Sequence, residues 1–491
     1  MRAGVLLNSD SIAYFDAARV LRSAPQDYLQ AADSSAALPG RFPPLYPTLL
    51  ALISLAVPVM EAARWINVAL IGTTLAIVAT VIRRHSSVVA ALVATIVLLC
   101  TRGFVIAIHG FMMSDALYLA VVMATISMTD QTLNGEYGAT RHRLLMAGAI
   151  AGGALAFSTR LIGLTAIAAV ALSLLLLRPA GQRLRPTILA ITAGSVPVVA
   201  WIAVSSSAGH IGERPLGWFP PGFSTWSDLP DAVAHYFLPG IALSSVTRWP
   251  VLVATTVGLF AAALKSVAIF ESGRRPLATS ADRACAIAVV FAWTNLVGLT
   301  GSMLFVDPLV AYDLRHLMPI WGAVVIVLGI RLGEWSRSTH LPSRYRPRVI
   351  RIAVVAIALS MATITVHSIK DPSRSWFNMA VEASESPLVA ELRQIPPGAV
   401  VYSNRPDLVV FFTTHDTVLP IPMAAEPATG IENDGYAGQI EAMNYATHTS
   451  SALVAVFTAD PLWSPDLSVL KADGDLRVLK SSLDGVLLKA R

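Results

Sequence analysis

Residues 143–178 read RLLMAGAIAGGALAFSTRLIGLTAIAAVALSLLLLR: two apolar runs, 143–159 and 161–177, meeting at one arginine, Arg160. About 20 mostly apolar residues, each rising 1.5 Å in a helix, cross the hydrocarbon layer of a bilayer. Arg143 and Arg178 close the outer ends. The stretch therefore reads as a helical hairpin in a membrane, charged only at its turn and its feet. Similar runs occur at 62–83, 87–108, 112–130, 186–206, 249–271, 284–305, 317–334 and 350–367. Ten spans in all put both chain ends on the same side.

Composition agrees. The 491 residues are 55% hydrophobic and only 14% charged, with a mean hydropathy of +0.62. A soluble protein carries about a quarter charged residues, so one large soluble globule is excluded, and so is disorder. The net charge of +5 is small and dispersed, which argues against nucleic-acid binding. Cys100 and Cys285 fall inside apolar runs and form neither a disulfide framework nor a metal-ligand spacing. The opening MRAGVLLNSDS lacks an apolar stretch long enough for a secretory signal.

Arginines set the orientation. Alternate turns hold Arg83 and Arg84; Arg141 and Arg143; Arg178, Arg183 and Arg185; Arg274, Arg275 and Arg283. The last such turn holds Arg337, Arg344, Arg346, Arg348 and Arg351. By the positive-inside rule these turns are cytoplasmic. Residues 1–61, the 207–248 loop and the tail after 368 are then extracytoplasmic. The Pro44–Pro58 segment fits a helix in the outer interface better than an eleventh span, which would invert every later turn. The 207–248 loop is rich in Trp, Phe and Pro, including Trp218, Phe219 and Trp226, as suits a shelf at the interface.

From about Asp371 the composition becomes that of a soluble domain. Strands are expected at Ala399–Ser403, Leu408–Phe412 and Ala452–Thr458, a helix at Gly438–Tyr445, and a terminal hairpin of Leu476–Lys480 with Gly485–Leu488. The expected organisation is a first loop (1–61), a transmembrane domain (62–367) and a soluble extracytoplasmic domain (368–491).

Ionisable residues in or beside a bilayer are costly and mark function by default. Asp10, Asp16, Arg41, Arg102, His109, Asp115, Arg160, Asp307, Asp313, Arg315 and His316 all fall on the extracytoplasmic side of this topology. The arginine-rich side is expected to lack such a mixture of acids, arginines and histidines. Guanidinium groups present a fork of donors to phosphate oxygens and keep their charge, so Arg41, Arg160 and Arg315 are phosphate candidates. Arginines near helix ends also snorkel to headgroups. His109 and His316 suit either hydrogen bonds to substrate or the plainer role of satisfied interfacial histidines. Arg102 suits either a substrate contact or an internal ion pair.

Several of these residues stand in patterns. Asn8-Ser9-Asp10-Ser11-Ile12-Ala13-Tyr14 is followed by Arg41-Phe42-Pro43-Pro44-Leu45-Tyr46-Pro47. Ser114-Asp115-Ala116-Leu117 opens a span, Ser158-Thr159-Arg160 joins two, and Arg315-His316-Leu317-Met318-Pro319 precedes one. In order and topology the chain resembles the GT-C glycosyltransferases, polytopic enzymes that use polyprenyl-phosphate sugars, such as protein O-mannosyltransferases and lipid A aminoarabinose transferases. That family opens with a transmembrane helix ahead of its aspartate loop. Met1 lies only nine residues before Asp10, which leaves no room for that helix: either the start is truncated or misassigned, or the helix is absent.

The resemblance implies an all-α polytopic membrane domain of about ten spans plus interfacial helices, with a small C-terminal extracytoplasmic α/β domain. It implies transfer of a sugar from a polyprenyl phosphate to a lipid, glycan or protein acceptor outside the cytoplasm, in a cell membrane. It makes Asp10 the base that takes the acceptor's proton and Asp115 the second acid, holding the acceptor or a divalent metal. Each has a plainer role beside it: Asp10 as a helix N-cap, Asp115 as a first-turn acid on the helix dipole. A single base opposite the leaving phosphate predicts inversion. All these groups are expected to share one outward-facing cleft. The sequence has no Walker A loop, dinucleotide-binding glycine fingerprint or zinc spacing, which disfavours a nucleotide-sugar donor. The rival reading is a lipid or polysaccharide transporter, or a non-catalytic assembly partner. Transport needs polar groups near the midplane, where this chain is poorest.

Overall fold

The computed structural model describes residues 9–23, 43–101, 108–135, 137–207, 267–272, 279–306 and 315–337. Towards the C-terminus it describes 386–413, 417–424, 435–450, 452–458 and 475–491, with a few single residues between these stretches. The chain divides into two compact units, Pro39–Lys370 and Met1–Leu38 with Asp371–Arg491.

In the second unit, α1 (Ser9–Ser23) accompanies the C-terminal sheet. The first unit starts with α2 (Leu45–Ile53), directly after Pro43-Pro44 and shorter than the Pro44–Pro58 segment expected to be helical. Next is α3 (Val59–His85), with Glu61 in its first turn and Arg83, Arg84 and His85 in its last. That placement complements the helix dipole at both ends. The helix α4 (Val88–Cys100) is capped by Ser87, whose side chain accepts from the Ala90 N–H. Then come α5 (Asp115–Asn134), α6 (Ala139–Thr159), a 3-10 turn at Leu161–Gly163 and α7 (Leu164–Leu177). They are followed by α8 (Leu184–Gly194), α9 (Val196–Ser207), α10 (Ser280–Phe305) and α11 (Met318–Arg337). A reciprocal capping box between Thr279 and Asp282 starts α10.

Four stretches are long and apolar enough to cross a membrane: Val59–His85, Asp115–Asn134, Ala180–Ser206 and Ser280–Phe305. Val88–Cys100 and Leu161–Leu177 are apolar but shorter. The count of ten expected from the sequence is therefore not reached among the described residues. The run at 87–108 is interrupted after Cys100, and the one at 186–206 breaks at Ser195, just before Pro197. The predicted run at 350–367 lies outside the described residues, and most of 249–271 does too.

The central helix is α5, packed against α3, α6, α7, α10 and α11. Leu119, Met123 and Ile126 of α5 join Ile82, Leu98, Phe291 and Ile326 in one apolar core. Small residues allow the close approach: at Gly153 of α6, an added Cβ would stand 3.2 Å from the Ile167 Cα of α7. The outward faces stay apolar, with Leu92, Leu144, Ile188, Val199 and Val297 exposed. A helix hydrophobic all round belongs in lipid.

The C-terminal sheet has the order β2-β1-β3-β5-β4. Its strands are β1 (Val401–Ser403), β2 (Val418–Pro420), β3 (Leu453–Phe457), β4 (Leu476–Ser482) and β5 (Gly485–Ala490). The first three run parallel, and the β4–β5 hairpin lies antiparallel beside β3. Leu453, Ala455 and Phe457 share a core with α12 (Pro387–Leu392) and α13 (Pro406–Phe412). Val454 and Val456 face the other way, towards α14 (Tyr436–Thr449). That period-two split makes three layers, α/β/α. One expectation fails here: Leu408–Phe412 is helical within α13, not a strand. Its β-branched and aromatic run favours a strand, but Pro406 sits in the first helical turn, where proline starts a helix. Phe411 then meets Phe15 of α1 edge to face at 5.5 Å.

Candidate active site

Asp115 opens α5, one residue after Ser114, whose side chain makes no capping bond. The Asp115 carboxylate faces the positive end of the α5 dipole. The helix α6 stops at Thr159, because Arg160 is extended (φ −150, ψ 143). The Arg160 N–H still reaches the Ala156 carbonyl at 3.0 Å, and its own carbonyl accepts from the Gly163 N–H at 2.8 Å. Only glycine suits 163: a Cβ there would overlap the backbone of Ala156 and Phe157. This tight turn is what the single arginine between two apolar runs builds. Arg315 and His316 lie in the turn entering α11.

These segments converge. Asp115, Tyr118, Arg160, Asn295, Arg315 and His316 line one narrow cleft, walled by Ile108, Leu119, Ile162 and Pro319. Arg160 Nη1 forms an ion pair with Asp115 Oδ1, and its Nη2 donates to His316 Nε2 at 3.3 Å. The imidazole accepts that bond, so it is neutral. Arg315 Nη1 points at the Met113 sulfur, 3.3 Å away. The Tyr118 hydroxyl donates to Asn295 Oδ1 at 2.8 Å, and Asn295 Nδ2 to the Phe291 carbonyl at 3.0 Å. Asp115 Oδ2 is buried and has no hydrogen-bond partner among the described residues. Among the described residues, two guanidiniums and one carboxylate line the cleft.

Of the residues singled out by sequence, four meet in this cleft: Asp115, Arg160, Arg315 and His316. His109 is buried (1% exposed) in the connection before α5, and Ile108 rather than His109 lines the cleft. Its Nδ1–H donates to the Phe104 carbonyl at 2.7 Å, so Nε2 is left as an acceptor, without a partner among the described residues. Burial pushes the His109 pKa down to about 4. Asp10 belongs to α1 in the other compact unit. Arg41, Arg102, Asp307 and Asp313 lie outside the described residues, as does most of the 207–248 loop.

Sequence reading missed Tyr118 and Asn295. Tyr118 stands three residues after Asp115, on the same helix face. Asn295 is an amide within an apolar helix, a signal that was available. Among the described residues no three His, Cys, Asp or Glu gather to hold an ion, and the Asp115 Oδ1 is taken by Arg160.

At the other end of α5 the structure corrects an expectation. Asp130, 1% exposed, accepts from His85 Nε2 at 2.9 and 3.0 Å and from Asn134 Nδ2 at 2.7 Å. Arg84 Nη1 stands 3.6 Å away. Nearby, Arg331 pairs with Asp282 at 2.9 Å and with Glu334 at 2.6 Å. The arginine-rich end thus has its own mixture of acids, arginines and a histidine. The acids sit on α5, α10 and α11, outside the turns, where a scan of loops does not find them.

No protein-family profile matches the sequence, and no curated protein does. Solved structures do share its fold. ArnT from Cupriavidus metallidurans in the apo state aligns with TM-score 0.62 at 16% identity, over 99% of this chain and 94% of that one. ArnT bound to undecaprenyl phosphate aligns with TM-score 0.61 at 14% identity, over the same shares. The oligosaccharyltransferase of Archaeoglobus fulgidus, in complex with Zn and sulfate, aligns with TM-score 0.51 at 12% identity, over 92% of this chain and 64% of that one.

Proposed function

We propose that this chain, which has the GT-C fold, is a membrane glycosyltransferase that moves a sugar from a polyprenyl phosphate to an acceptor outside the cytoplasm. The observation that carries this reading is the cleft in which Arg160, Arg315 and neutral His316 gather around one buried carboxylate. Its guanidiniums offer forked donors to the oxygens of a phosphodiester donor. That ArnT has been solved with undecaprenyl phosphate supports the same chemistry.

In the proposed reaction a base removes the acceptor hydroxyl's proton as its oxygen attacks the anomeric carbon. The bond from that carbon to the phosphate oxygen breaks, and polyprenyl phosphate leaves with the electron pair. Negative charge grows on the phosphate during this step. Fixed guanidiniums at that place stabilise the transition state more than the ground state, the role we give Arg160 and Arg315. Asp115 Oδ2, an acceptor with no partner among the described residues, suits a hydroxyl of the sugar or of the acceptor. Asp10 is assigned the base on its motif, and attack opposite the phosphate gives inversion.

The test is turnover by the purified protein across a panel of polyprenyl-phosphate sugars. One donor should be consumed with release of polyprenyl phosphate, and Asp10→Asn should abolish that without loss of expression or membrane insertion. Full turnover by an Arg160→Ala, Arg315→Ala double variant would overturn the phosphate assignment. Full turnover by Asp10→Asn would remove the base.

A further inference from the structure

From Tyr137 to Gly212 the chain contains six arginines and not one Asp or Glu. Arg160 belongs to the cleft and reaches Asp115 of α5. The other five, Arg141, Arg143, Arg178, Arg183 and Arg185, stand where α6 begins, α7 ends and α8 begins. The residues from His142 to Arg160 span about 27 Å along a helix, close to the thickness of the hydrocarbon layer. The five therefore stand at the membrane face opposite the cleft.

These groups are held in place without an acid. Arg178 Nη2 donates to His142 Nε2 at 2.8 Å, so a neutral imidazole stands where a carboxylate would normally neutralise a guanidinium. Arg183 Nε donates to the Arg178 carbonyl at 2.5 Å, which ties a second guanidinium to the end of α7. Arg141 lies over the Tyr137 ring, 4.1 Å from its centre. Among the described residues none of the five pairs with an acid, whereas Arg64, Arg84, Arg160 and Arg331 all do. Arg178 and Arg183 are half-buried, and the rest of each donor fork has no partner among the described residues. The positive-inside rule accounts for arginines at this face. It does not account for two of them being fixed by neutral acceptors with their charge left over.

The surroundings decide what anion fits. Leu144 (68% exposed), Leu184 (67%) and Ile188 (50%) flank the arginines and lead down the outer surface of α6 and α8. Ala180–Ser206 is the least buried of the long apolar stretches, so this surface meets acyl chains. Gly181, in the turn between α7 and α8, has open space where a side chain would stand. A free phosphate would use the cations but not the leucines. A lipid uses both.

We propose that Arg178, Arg183 and His142, at the joined ends of α6, α7 and α8, form a binding site for the phosphate of an anionic phospholipid. The site is separate from the donor cleft and does not depend on the glycosyltransferase reading.

The test uses the full chain, purified in detergent, with binding followed by native mass spectrometry and by thermal shift. The probes are phosphatidylglycerol, phosphatidylcholine of the same acyl length, and inorganic phosphate. Phosphatidylglycerol should bind and stabilise in preference to phosphatidylcholine, and inorganic phosphate should do neither. The preference should fall about five-fold for each arginine removed in Arg178→Gln and Arg183→Gln, and it should fade with salt. Should the double variant not fold, Arg183→Gln alone leaves the Arg178–His142 contact intact and carries the same expectation. Equal binding of the two lipids, or an undiminished preference in the variants, would overturn the proposal. Equal stabilisation by inorganic phosphate would assign the cations to a soluble anion instead, and would overturn it too.

Discussion

Asp115 and Asp130 lie on one helix, about 22 Å apart along its axis, and both are almost fully buried, at 3% and 1% exposure. Their surroundings differ in kind. Both oxygens of Asp130 accept from His85, and Asn134 adds a third bond. Asp115 has one oxygen on Arg160 and the other without a partner among the described residues, in a cleft that collects two guanidiniums. A saturated carboxylate fastens helices together. One left wanting, at the edge of a hollow, is held ready for a ligand. The comparison separates a structural polar cluster from a candidate chemical one, although both are made of the same residue types.

The largest expected effect breaks the structural end. Asp130→Ala strips His85 and Asn134 of their shared acceptor and Arg84 of its neighbouring charge. Removing one partner of a buried charged network costs about 3–5 kcal/mol, to be read from SDS titration in mixed micelles. Turnover per folded molecule should stay at the wild-type level. A large loss of turnover with unchanged stability would reverse the assignment of the two ends.

The next effect, at the cleft, should have the opposite signature. Arg315→Ala should lower turnover about 10²- to 10³-fold, the usual range for one preorganised group facing developing charge, with little change in melting. Comparing the two variants by both measurements is sharper than either alone.

How far the sequence foretold this contrast can be argued from individual residues. Arg160 was legible because it is the only charge between two apolar runs, and Ser114-Asp115 because it opens one. Both signals are local, and with the Arg315-His316 pattern they supply four of the six polar residues of the cleft. Tyr118 and Asn295 were not found, because nothing in the chain between them says that α5 and α10 face each other; only packing does. Asp130 was passed over for a related reason. A lone acid near a helix end reads as solvated until His85, forty-five positions earlier, is seen to close on it. In the soluble unit, the sheet's β1, β3 and hairpin were legible from alternation, while Leu408–Phe412 was misread because strand propensity was weighed above the Pro406 start signal.

Acid should act on the cleft end through His109, buried in the connection that leads to Asp115. An unfolded histidine binds its proton near its ordinary value of 6.5, whereas His109 resists until about pH 4. Between those values the unfolded state binds more protons, so lowering the pH weakens the fold. Above 6.5 both states are neutral and the group adds no pH dependence; below about 4 the loss is complete. The cost should be about 1 kcal/mol by pH 5.5. His109→Gln should flatten the stability profile in this window, and an unchanged slope would show that other groups set it.

The smallest effect sharpens the account of the Asp130 end, because it separates proximity from bonding. Arg84 stands beside Asp130 and would be counted as its counter-ion by charge alone. Its Nη1 is nevertheless 3.6 Å from the carboxylate, its side chain is 32% exposed, and its bond goes to the Ser127 hydroxyl at 3.2 Å. Turned to its better-bonded orientation, the Gln131 amide also offers Arg84 an oxygen at 3.1 Å. A partly exposed pair of this kind is worth under about 1 kcal/mol. Arg84→Gln should therefore cost little, while His85→Ala, which removes the donor to both Asp130 oxygens, should cost several times more. If the two variants cost the same in one SDS titration, charge rather than hydrogen bonding holds Asp130. The saturation that distinguishes it from Asp115 would then lose its basis.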